Sequence, residues 1–127
     1  MKAKSVGIIS IGLLVAFIIF GAVAPTEFNP VGKWKFSAPD APYPYGTGSL
    51  VVKLDGEEFG VTLTFQDVAY QFPGESVEFE EGVLAFNIYL DGEDIFLSMK
   101  FVDEDRLSGR AIYSEGAIPL TASRVKE

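Results

Sequence analysis

A two-residue alternation of apolar and polar side chains dominates the chain beyond Val31 and most constrains its fold. Positions 61–66 read Val-Thr-Leu-Thr-Phe-Gln, and 84–90 and 95–101 repeat the pattern. Such alternation places apolar side chains on one face of a half-buried β-strand. No stretch after Val31 holds a period of 3.6 residues over three helical turns. The sequence therefore predicts an all-β body.

Turn signals divide this body into short strands. Asp55-Gly56 and Asp91-Gly92 stand between apolar runs, and Asp-Gly favours tight hairpins whose two central residues both take a positive φ. We therefore predict an antiparallel up-and-down meander. By closing into a barrel of about eight strands, such a sheet hides its apolar face and removes its edges. The predicted strands cover 32–38, 47–54, 59–66, 68–73, 76–81, 83–90, 94–102, 106–113 and 117–125, where 68–81 is one kinked strand or two.

The two Asp-Gly hairpins also resemble each other in sequence. Leu54–Phe59 reads Leu-Asp-Gly-Glu-Glu-Phe, and Leu90–Ile95 reads Leu-Asp-Gly-Glu-Asp-Ile. Each is followed by a similar alternating strand. One interpretation is that stable hairpins independently adopt similar turn sequences. The other interpretation is that the meander consists of two related halves.

The first 24 residues are typical of a membrane-directing segment. Lys2 and Lys4 precede an apolar run of 19 residues, Val6–Ala24. This pattern predicts an N-terminal hydrophobic helix that is either a signal peptide or a transmembrane anchor. The last three residues of the run, Ala-Val-Ala, have the small-x-small form of a peptidase site, but Pro25 follows directly. Cleavage and retention therefore both stay open.

The rest of the chain is long enough for one small domain. We expect residues 25–30 to form a linker and residues 31–127 to form the barrel. With a leader of this kind, the barrel is expected to be exported. It would be periplasmic or extracellular, or anchored to the cytoplasmic membrane with the C-terminal domain outside.

The charge of the chain argues against several partners. The sequence has 10 basic and 18 acidic residues. Without Lys2 and Lys4, 8 basic residues remain against 18 acidic ones, a net charge of −10. Nucleic acid is therefore an unsuitable partner, because phosphate binding needs a basic surface. Membrane contact is expected only through the N-terminal segment, and only if that segment is retained.

The chain contains no cysteine and no histidine. Disulfides, thiolate or histidine metal sites, and a Ser-His-Asp triad are therefore impossible. The many carboxylates lie at turns or alternate outward, where they do not face each other as glycosidase chemistry requires. Their spacing also fails to match a calcium-binding loop. We predict a non-enzymatic protein without a metal or a cofactor.

Two short motifs stand out in the predicted barrel. Gly32-Lys33-Trp34 opens the first strand, and Asp105–Gly109 reads Asp-Arg-Leu-Ser-Gly. The first resembles the Gly-x-Trp motif of the lipocalins and calycins, and the second resembles a hairpin of small lipocalin-like barrels of bacterial exported proteins. The resemblance implies an eight-stranded barrel in which Trp34 seals one end. It also implies that Arg124 packs on this tryptophan, so that Gly32, Trp34 and Arg124 form a structural plug.

The aromatic residues are the candidate ligand-binding residues. The predicted ligand-binding residues are Tyr43, Tyr45, Phe65, Phe86 and Phe101. Inward aromatic side chains line an apolar pocket or fill the barrel, and their size in so short a chain favours filling. Residues 41–46, Ala-Pro-Tyr-Pro-Tyr-Gly, favour an exposed extended loop. We favour a lid over the barrel mouth, with a tyrosine-rich binding surface as the alternative.

Two functions fit these features. The first is binding of a small hydrophobic ligand in the barrel or at its mouth. The alternative is a cell-envelope interaction or structural module with a fully packed core, which would bind a protein partner through its outer face. An interior cavity of about 300 Å³ or more favours the first function, and a filled interior favours the second.

Overall fold

The computed structural model describes residues 28–126, which form nine β-strands and no helix. The predicted hydrophobic helix of residues 1–24 and the first three residues of the predicted linker lie outside these described residues. Between residues 28 and 126, no helix is long and apolar enough to cross a membrane. The strands are β1 Gly32–Ser37, β2 Thr47–Asp55, β3 Glu58–Phe65, β4 Gln71–Pro73, β5 Glu75–Glu80, β6 Val83–Leu90, β7 Glu93–Asp103, β8 Arg106–Tyr113 and β9 Gly116–Arg124.

The predicted all-β antiparallel meander is confirmed. All pairings between neighbouring strands of the described chain are antiparallel, and the sheet order is β4-β3-β2-β1-β9-β8-β7-β6-β5. The stretch 68–81, which the sequence left open, contains two strands, β4 and β5. The described sheet therefore has nine strands where the sequence predicts about eight.

The barrel is nearly closed at Gly74. The two outermost strands, β4 and β5, are consecutive in the chain, so the chain crosses here from the β3 edge to the β6 edge. The Gly74 amide donates a hydrogen bond of 2.7 Å to the Val61 carbonyl. A Cβ at this position would lie 3.0 Å from Val61 Cβ and 3.2 Å from Phe86 Cδ2. This close approach explains why glycine occupies the crossing.

A narrow seam remains beside this crossing. β4 pairs with β3 only over Thr62–Thr64, so the first residues of β3 have no ladder partner on their outer edge within the described sheet. The rings of Phe59 on β3 and Phe79 on β5 meet across the seam, with centroids 5.5 Å apart. Side-chain packing therefore holds the two edges together where the backbone ladder stops.

The core is built from the inward side chains of every long strand. On β6, Leu84, Phe86, Ile88 and Leu90 are all buried, while the residues between them are more exposed. Burying each such side chain stabilises the fold by about 1.5–3 kcal/mol. The two-residue period therefore both forms the strands and closes the barrel around a single apolar cluster.

The two Asp-Gly hairpins differ in register. Leu90 pairs with Glu93, so Asp91 and Gly92 are the central residues, and both have positive φ (51° and 82°). This matches the prediction. In the other hairpin Asp55 itself pairs with Glu58, which places Gly56 and Glu57 at the turn.

Only Gly56 of that turn has a positive φ (65°). The predicted hairpin is present, but the prediction that Asp55 and Gly56 are both central residues with positive φ is wrong. The physical reason is that Asp55 is used as the last paired residue of β2.

Candidate functional site

The meander gives the barrel two different ends. One end, here called the mouth, is formed by the connections 38–46, 66–70, 91–92 and 114–115. The other, here called the closed end, is formed by the turns 56–57, 81–82 and 104–105 together with both termini of the described chain. Because the long strands are antiparallel and alternate in direction, every connection except the crossing at Gly74 falls at one of these two ends.

Trp34 fills the closed end. Its side chain is 0% exposed, and its indole N–H donates a hydrogen bond of 2.9 Å to the Pro30 carbonyl. The ring of Phe101 packs edge-on against it, with centroids 5.9 Å apart, and Phe28 packs on Phe101 in turn. A large apolar side chain with a satisfied polar atom is well suited to seal a barrel.

Arg124 lies over this tryptophan from the outside, with its guanidinium carbon 4.3 Å from the ring centroid. Its terminal nitrogens donate hydrogen bonds to the carbonyls of Val31 (3.0 Å), Asn29 (2.9 Å) and Glu104 (2.9 Å). The arginine thereby joins both termini of the described chain to the turn before β8. Cation–π contact and charge-assisted hydrogen bonds both stabilise this arrangement.

Gly32 lies beside these two residues. It has a φ of +140°, and a Cβ there would lie 3.0 Å from Arg124 Nη1. Gly32, Trp34 and Arg124 therefore meet at the closed end. These residues contact each other, the ring of Phe101, the Asp105 carboxylate and backbone carbonyls, which is a structural arrangement.

The mouth holds a small apolar cavity of about 140 Å³. Side chains from six strands (β1, β3 and β6–β9) and from the loop before β2 converge on it. Each strand contributes the inward residues nearest its mouth end. Alanines at three positions leave room where larger side chains would fill it. The lining residues are Phe36, Ala38, Ala41, Pro42, Tyr45, Leu63, Phe65, Ile88, Leu90, Asp91, Glu93, Ile95, Leu97, Ala111, Tyr113, Ile118 and Leu120.

The loop 38–46 covers this cavity as a lid. Its ends are joined by a hydrogen bond of 2.7 Å from the Ala38 amide to the Gly46 carbonyl. The Tyr45 ring packs edge-on against Phe65, with centroids 4.9 Å apart. The Tyr45 hydroxyl donates a hydrogen bond of 2.9 Å to Asp91 Oδ2 on the opposite side of the mouth.

This hydrogen bond acts as a latch between the lid and the β6–β7 turn. Hydrogen bonding to Asp91 raises the pKa of Tyr45, with smaller contributions from desolvation and from the carboxylate charge. The latch therefore favours the protonated phenol of Tyr45.

Tyr43, two residues earlier, faces away from the cavity. Its side chain is 83% exposed, and its hydroxyl donates a hydrogen bond of 3.2 Å to Asp67. That hydrogen bond raises the pKa of Tyr43. The tyrosine-proline loop therefore combines the two interpretations of its sequence, since one ring is packed into the mouth and the other faces solvent.

The structure places only two of the five predicted ligand-binding residues at the cavity. Tyr45 and Phe65 line it, whereas Tyr43 lies outside. Phe86 is fully buried deeper in the barrel, and Phe101 packs on Trp34 at the closed end. The alternating pattern identifies inward residues, but it does not give their depth along the barrel axis.

Several lining residues were not singled out from the sequence. Leu90, Ile95 and Ile118 are the apolar inward residues closest to the mouth turns on their strands. Their positions beside Asp91-Gly92 and Glu115-Gly116 are a usable signal once the strand directions are known. Ala111 has no such signal, because a small residue in a strand pattern does not by itself indicate a cavity.

The cavity is smaller than the volume of about 300 Å³ that favours a conventional ligand site. It measures about 140 Å³, and side chains such as Phe86 and Leu50 fill the barrel below it. The filled interior expected from the large aromatic residues is therefore present through most of the barrel. Among residues 28–126, the apolar space inside the barrel lies at the mouth.

Most carboxylates lie at turns or outward positions, as their sequence spacing suggests. Arg106 donates two hydrogen bonds to Asp103 Oδ2, from Nε (2.9 Å) and from Nη2 (2.8 Å). These hydrogen bonds lower the pKa of Asp103. Asp105 pairs with Lys126 at 2.7 Å. Among residues 28–126, no group of three or more acidic side chains is arranged to hold a metal ion.

No protein-family model matches this chain, and no curated protein matches it in sequence. Solved structures match it in fold. A redesigned β-barrel is 11% identical, with a TM-score of 0.56 over 76% of this chain and 91% of its own. The REP1-NXSQ fatty acid transporter is also 11% identical, with a TM-score of 0.50 over 76% of this chain and 96% of its own. At such identity the likeness shows the fold alone, an antiparallel β-barrel.

Proposed function

We propose that this protein binds a small apolar ligand at the barrel mouth, under the lid formed by residues 38–46. The observation that carries the proposal is the apolar cavity of about 140 Å³, covered by Tyr45. Water gains little from occupying an apolar space of this size, whereas an apolar molecule removes its own surface from water there.

The cavity volume limits the ligand. An apolar cavity of about 150 Å³ accommodates a molecule of the size of benzene, so the buried part of the ligand would contain about six carbon atoms. A longer molecule would extend past Tyr45 into solvent, or would require the lid to move. The latch between Tyr45 and Asp91 (2.9 Å) is the contact that such a movement breaks first.

Three further points belong to this proposal. The plug residues Trp34 and Arg124 support membership of the lipocalin-like barrels, and the fatty acid transporter of the same fold is named for an apolar ligand. We also propose that the protein is not an enzyme, since the described residues near the cavity are apolar side chains, tyrosines and exposed carboxylates. Export rests on Lys2, Lys4 and the apolar run that follows.

The test is a titration of the 127-residue chain with 1-hexanol, followed by nuclear magnetic resonance. Ala111 is nearly buried and lines the cavity, so Ala111→Ile is expected to occupy the space without disturbing the strand. Saturable binding to the wild-type chain that is lost in Ala111→Ile supports the proposal. Binding that survives in Ala111→Ile, or no binding to the wild-type chain, contradicts it.

Trp34 is a poor reporter for this experiment because it lies at the closed end. The alanine methyl groups of Ala38, Ala41 and Ala111 line the cavity and report on it directly. Ala122 is buried in the barrel and does not line the cavity. Its methyl signal therefore serves as an internal control.

A second function, an interaction module at the cell envelope, is favoured by the outer face of the barrel. Tyr89 (60% exposed), Phe96 (38%) and Ile112 (38%) are outward side chains on β6, β7 and β8. Phe96 pairs directly with Ile112, and Tyr89 lies diagonally across from Phe96. Adjacent exposed apolar side chains of this kind are typical of contact surfaces.

The two functions depend on different residues, so variants separate them. Replacing Phe96 and Ile112 together by threonine keeps β-branched or polar side chains suited to a strand. This variant is expected to retain hexanol binding but to lose any protein partner detected by crosslinking in cells. Ala111→Ile is expected to have the reverse effect.

A further inference from the structure

The charged side chains in the mouth segments are all acidic. The segments 38–46, 66–70, 91–94 and 114–115 contain six carboxylates and no lysine, arginine or histidine. The closed end, by contrast, combines carboxylates with Arg106, Arg124 and Lys126. The mouth carboxylates are Asp40, Asp67, Asp91, Glu93, Asp94 and Glu115.

Two of these carboxylates line the apolar cavity itself, namely Asp91 and Glu93. Each has one oxygen held by a hydrogen bond from the protein. Asp91 Oδ2 accepts from the Tyr45 hydroxyl (2.9 Å), and Glu93 Oε1 accepts from the Ser114 amide (3.0 Å). These contacts orient the side chains and leave the second oxygen of each carboxylate available at the cavity rim.

We infer that the ligand is an amphipathic organic cation, with an ammonium-type head between Asp91 and Glu93 and an apolar tail of about six carbon atoms in the cavity. This inference rests on the proposed function, because it assigns a head group to the same site. An anionic head, such as that of a fatty acid, would face like charge on all four mouth segments. A cationic head instead exchanges contacts with water for contacts with two oriented carboxylates.

The inference is tested with three probes that share one tail: hexylammonium, 1-hexanol and hexanoate. Each is titrated into the 127-residue chain, and affinity is measured from the alanine methyl shifts. Exposed ion pairs of this kind change binding by roughly threefold to fivefold. Hexylammonium is expected to bind more tightly than 1-hexanol by about that factor, and hexanoate more weakly than 1-hexanol.

Salt provides an independent readout. The Debye length falls from about 30 Å at 0.01 M to about 3 Å at 1 M salt. The preference for hexylammonium over 1-hexanol is therefore expected to shrink at high salt, whereas the affinity for 1-hexanol does not fall. A preference that is unchanged by salt contradicts a charge-based origin.

The repeated hairpin supplies a matched control. Asp91→Asn and Glu93→Gln each remove a charge but keep the oxygen that accepts the hydrogen bond, so the latch and the turn are retained. Together they are expected to abolish the preference for hexylammonium over 1-hexanol, with both affinities measured in the same variant. Asp55→Asn with Glu57→Gln, at the corresponding positions of the closed-end hairpin, is expected to leave the preference unchanged.

The outcomes separate the two proposals. If 1-hexanol binds but hexylammonium binds no more tightly, or if hexanoate binds best, the cation inference is overturned and cavity binding stands. If none of the three probes binds, the proposed function fails and the inference fails with it. If the closed-end variant loses the preference as much as the mouth variant does, the effect belongs to net charge and the assignment to Asp91 and Glu93 is wrong.

Discussion

The two ends of this barrel are made from the same alternating strands but are filled in opposite ways. At the closed end Trp34 is fully buried, and its polar atom is satisfied by the Pro30 carbonyl. At the mouth, Ala38 and Ala111 stand where larger side chains would close the space. Strand pattern therefore decides that a barrel forms, while the size of a few inward side chains decides which end keeps a cavity.

The ends also differ in the contacts that cover them. Arg124 is tied to three backbone carbonyls and to the face of Trp34, and these contacts are distributed over both termini of the described chain. The lid is held across the mouth by the hydrogen bond of Tyr45 to Asp91 and by ring packing on Phe65. We therefore expect the closed end to stabilise the fold, and the lid at the mouth to open more readily to solvent.

The largest expected effect comes from emptying the closed end. Trp34→Ala removes a fully buried ring and leaves a cavity, which is expected to lower the free energy of unfolding by about 3–5 kcal/mol. Urea denaturation measures this, with Tyr45→Phe at the mouth as the control. A loss below about 1 kcal/mol would mean that the plug does not stabilise the barrel.

The second effect is a difference in stability between isoleucine substitutions at two alanines. Ala122→Ile adds volume to a filled part of the interior and is expected to destabilise by about 1–3 kcal/mol. Ala111→Ile adds the same volume to the mouth cavity and is expected to be neutral or stabilising. Equal destabilisation of both variants in urea denaturation would show that the mouth has no usable space.

A third, smaller effect is expected at the arginine. Arg124→Met keeps much of the side-chain packing but leaves three carbonyl contacts unmade, so the free energy of unfolding should fall by about 1–2 kcal/mol. Arg106→Met removes an exposed ion pair with Asp103 and should have no measurable effect on stability. If both variants unfolded at the same urea concentration, the contacts of Arg124 would not stabilise the barrel.

The lid is expected to respond to loss of its latch without loss of the barrel. Tyr45→Phe removes a hydrogen bond worth roughly 1 kcal/mol, so amide exchange within residues 38–46 should accelerate about fivefold while the strands are unaffected. Tyr43→Phe, which removes the exposed contact with Asp67, should leave exchange at Ala38 and Ala41 unchanged. Hydrogen-exchange rates that rise equally in both variants would argue against a specific latch.

The smallest effect is a dependence of the lid on high pH. The pKa of Tyr45 is raised above its ordinary value of 10.0 by the hydrogen bond to Asp91. The folded state therefore holds this proton more tightly, and the latch stabilises the lid fully below pH 10 and is lost as pH rises through the raised pKa. Tyrosinate absorbance of the wild-type chain minus that of Tyr45→Phe should show a titration above pH 10. A difference titration at or below pH 10 would contradict the hydrogen bond.

Much of the fold could be predicted from the local sequence pattern, whereas the lining of the cavity depends on how deep each inward side chain lies along the barrel axis. The alternation around Leu84 and Phe86 correctly predicts a strand, and Asp91-Gly92 correctly predicts its turn, because both depend on neighbouring residues. The identical dipeptide Asp55-Gly56 occupies a different position in its turn, because strand pairing places Asp55 in β2. Short-range sequence does not determine which of two registers is adopted.

The residues predicted to bind a ligand show the same limit. Phe65 and Phe101 are both aromatic residues at predicted inward positions, yet they lie at opposite ends of the barrel. Their separation follows from strand length and direction, which are properties of the whole sheet. The cavity itself arises where Ala111 meets the lid, and a strand position gives no sign of what faces it across the barrel.

The most direct test of the difference between the ends is a map of alanine methyl shifts during a titration with 1-hexanol. If the mouth is the site, the signals of Ala38, Ala41 and Ala111 shift and saturate together, while that of Ala122 does not move. If no signal at the mouth saturates, or if the largest shifts fall at the closed end or on the outer face, the cavity under the lid is not a binding site.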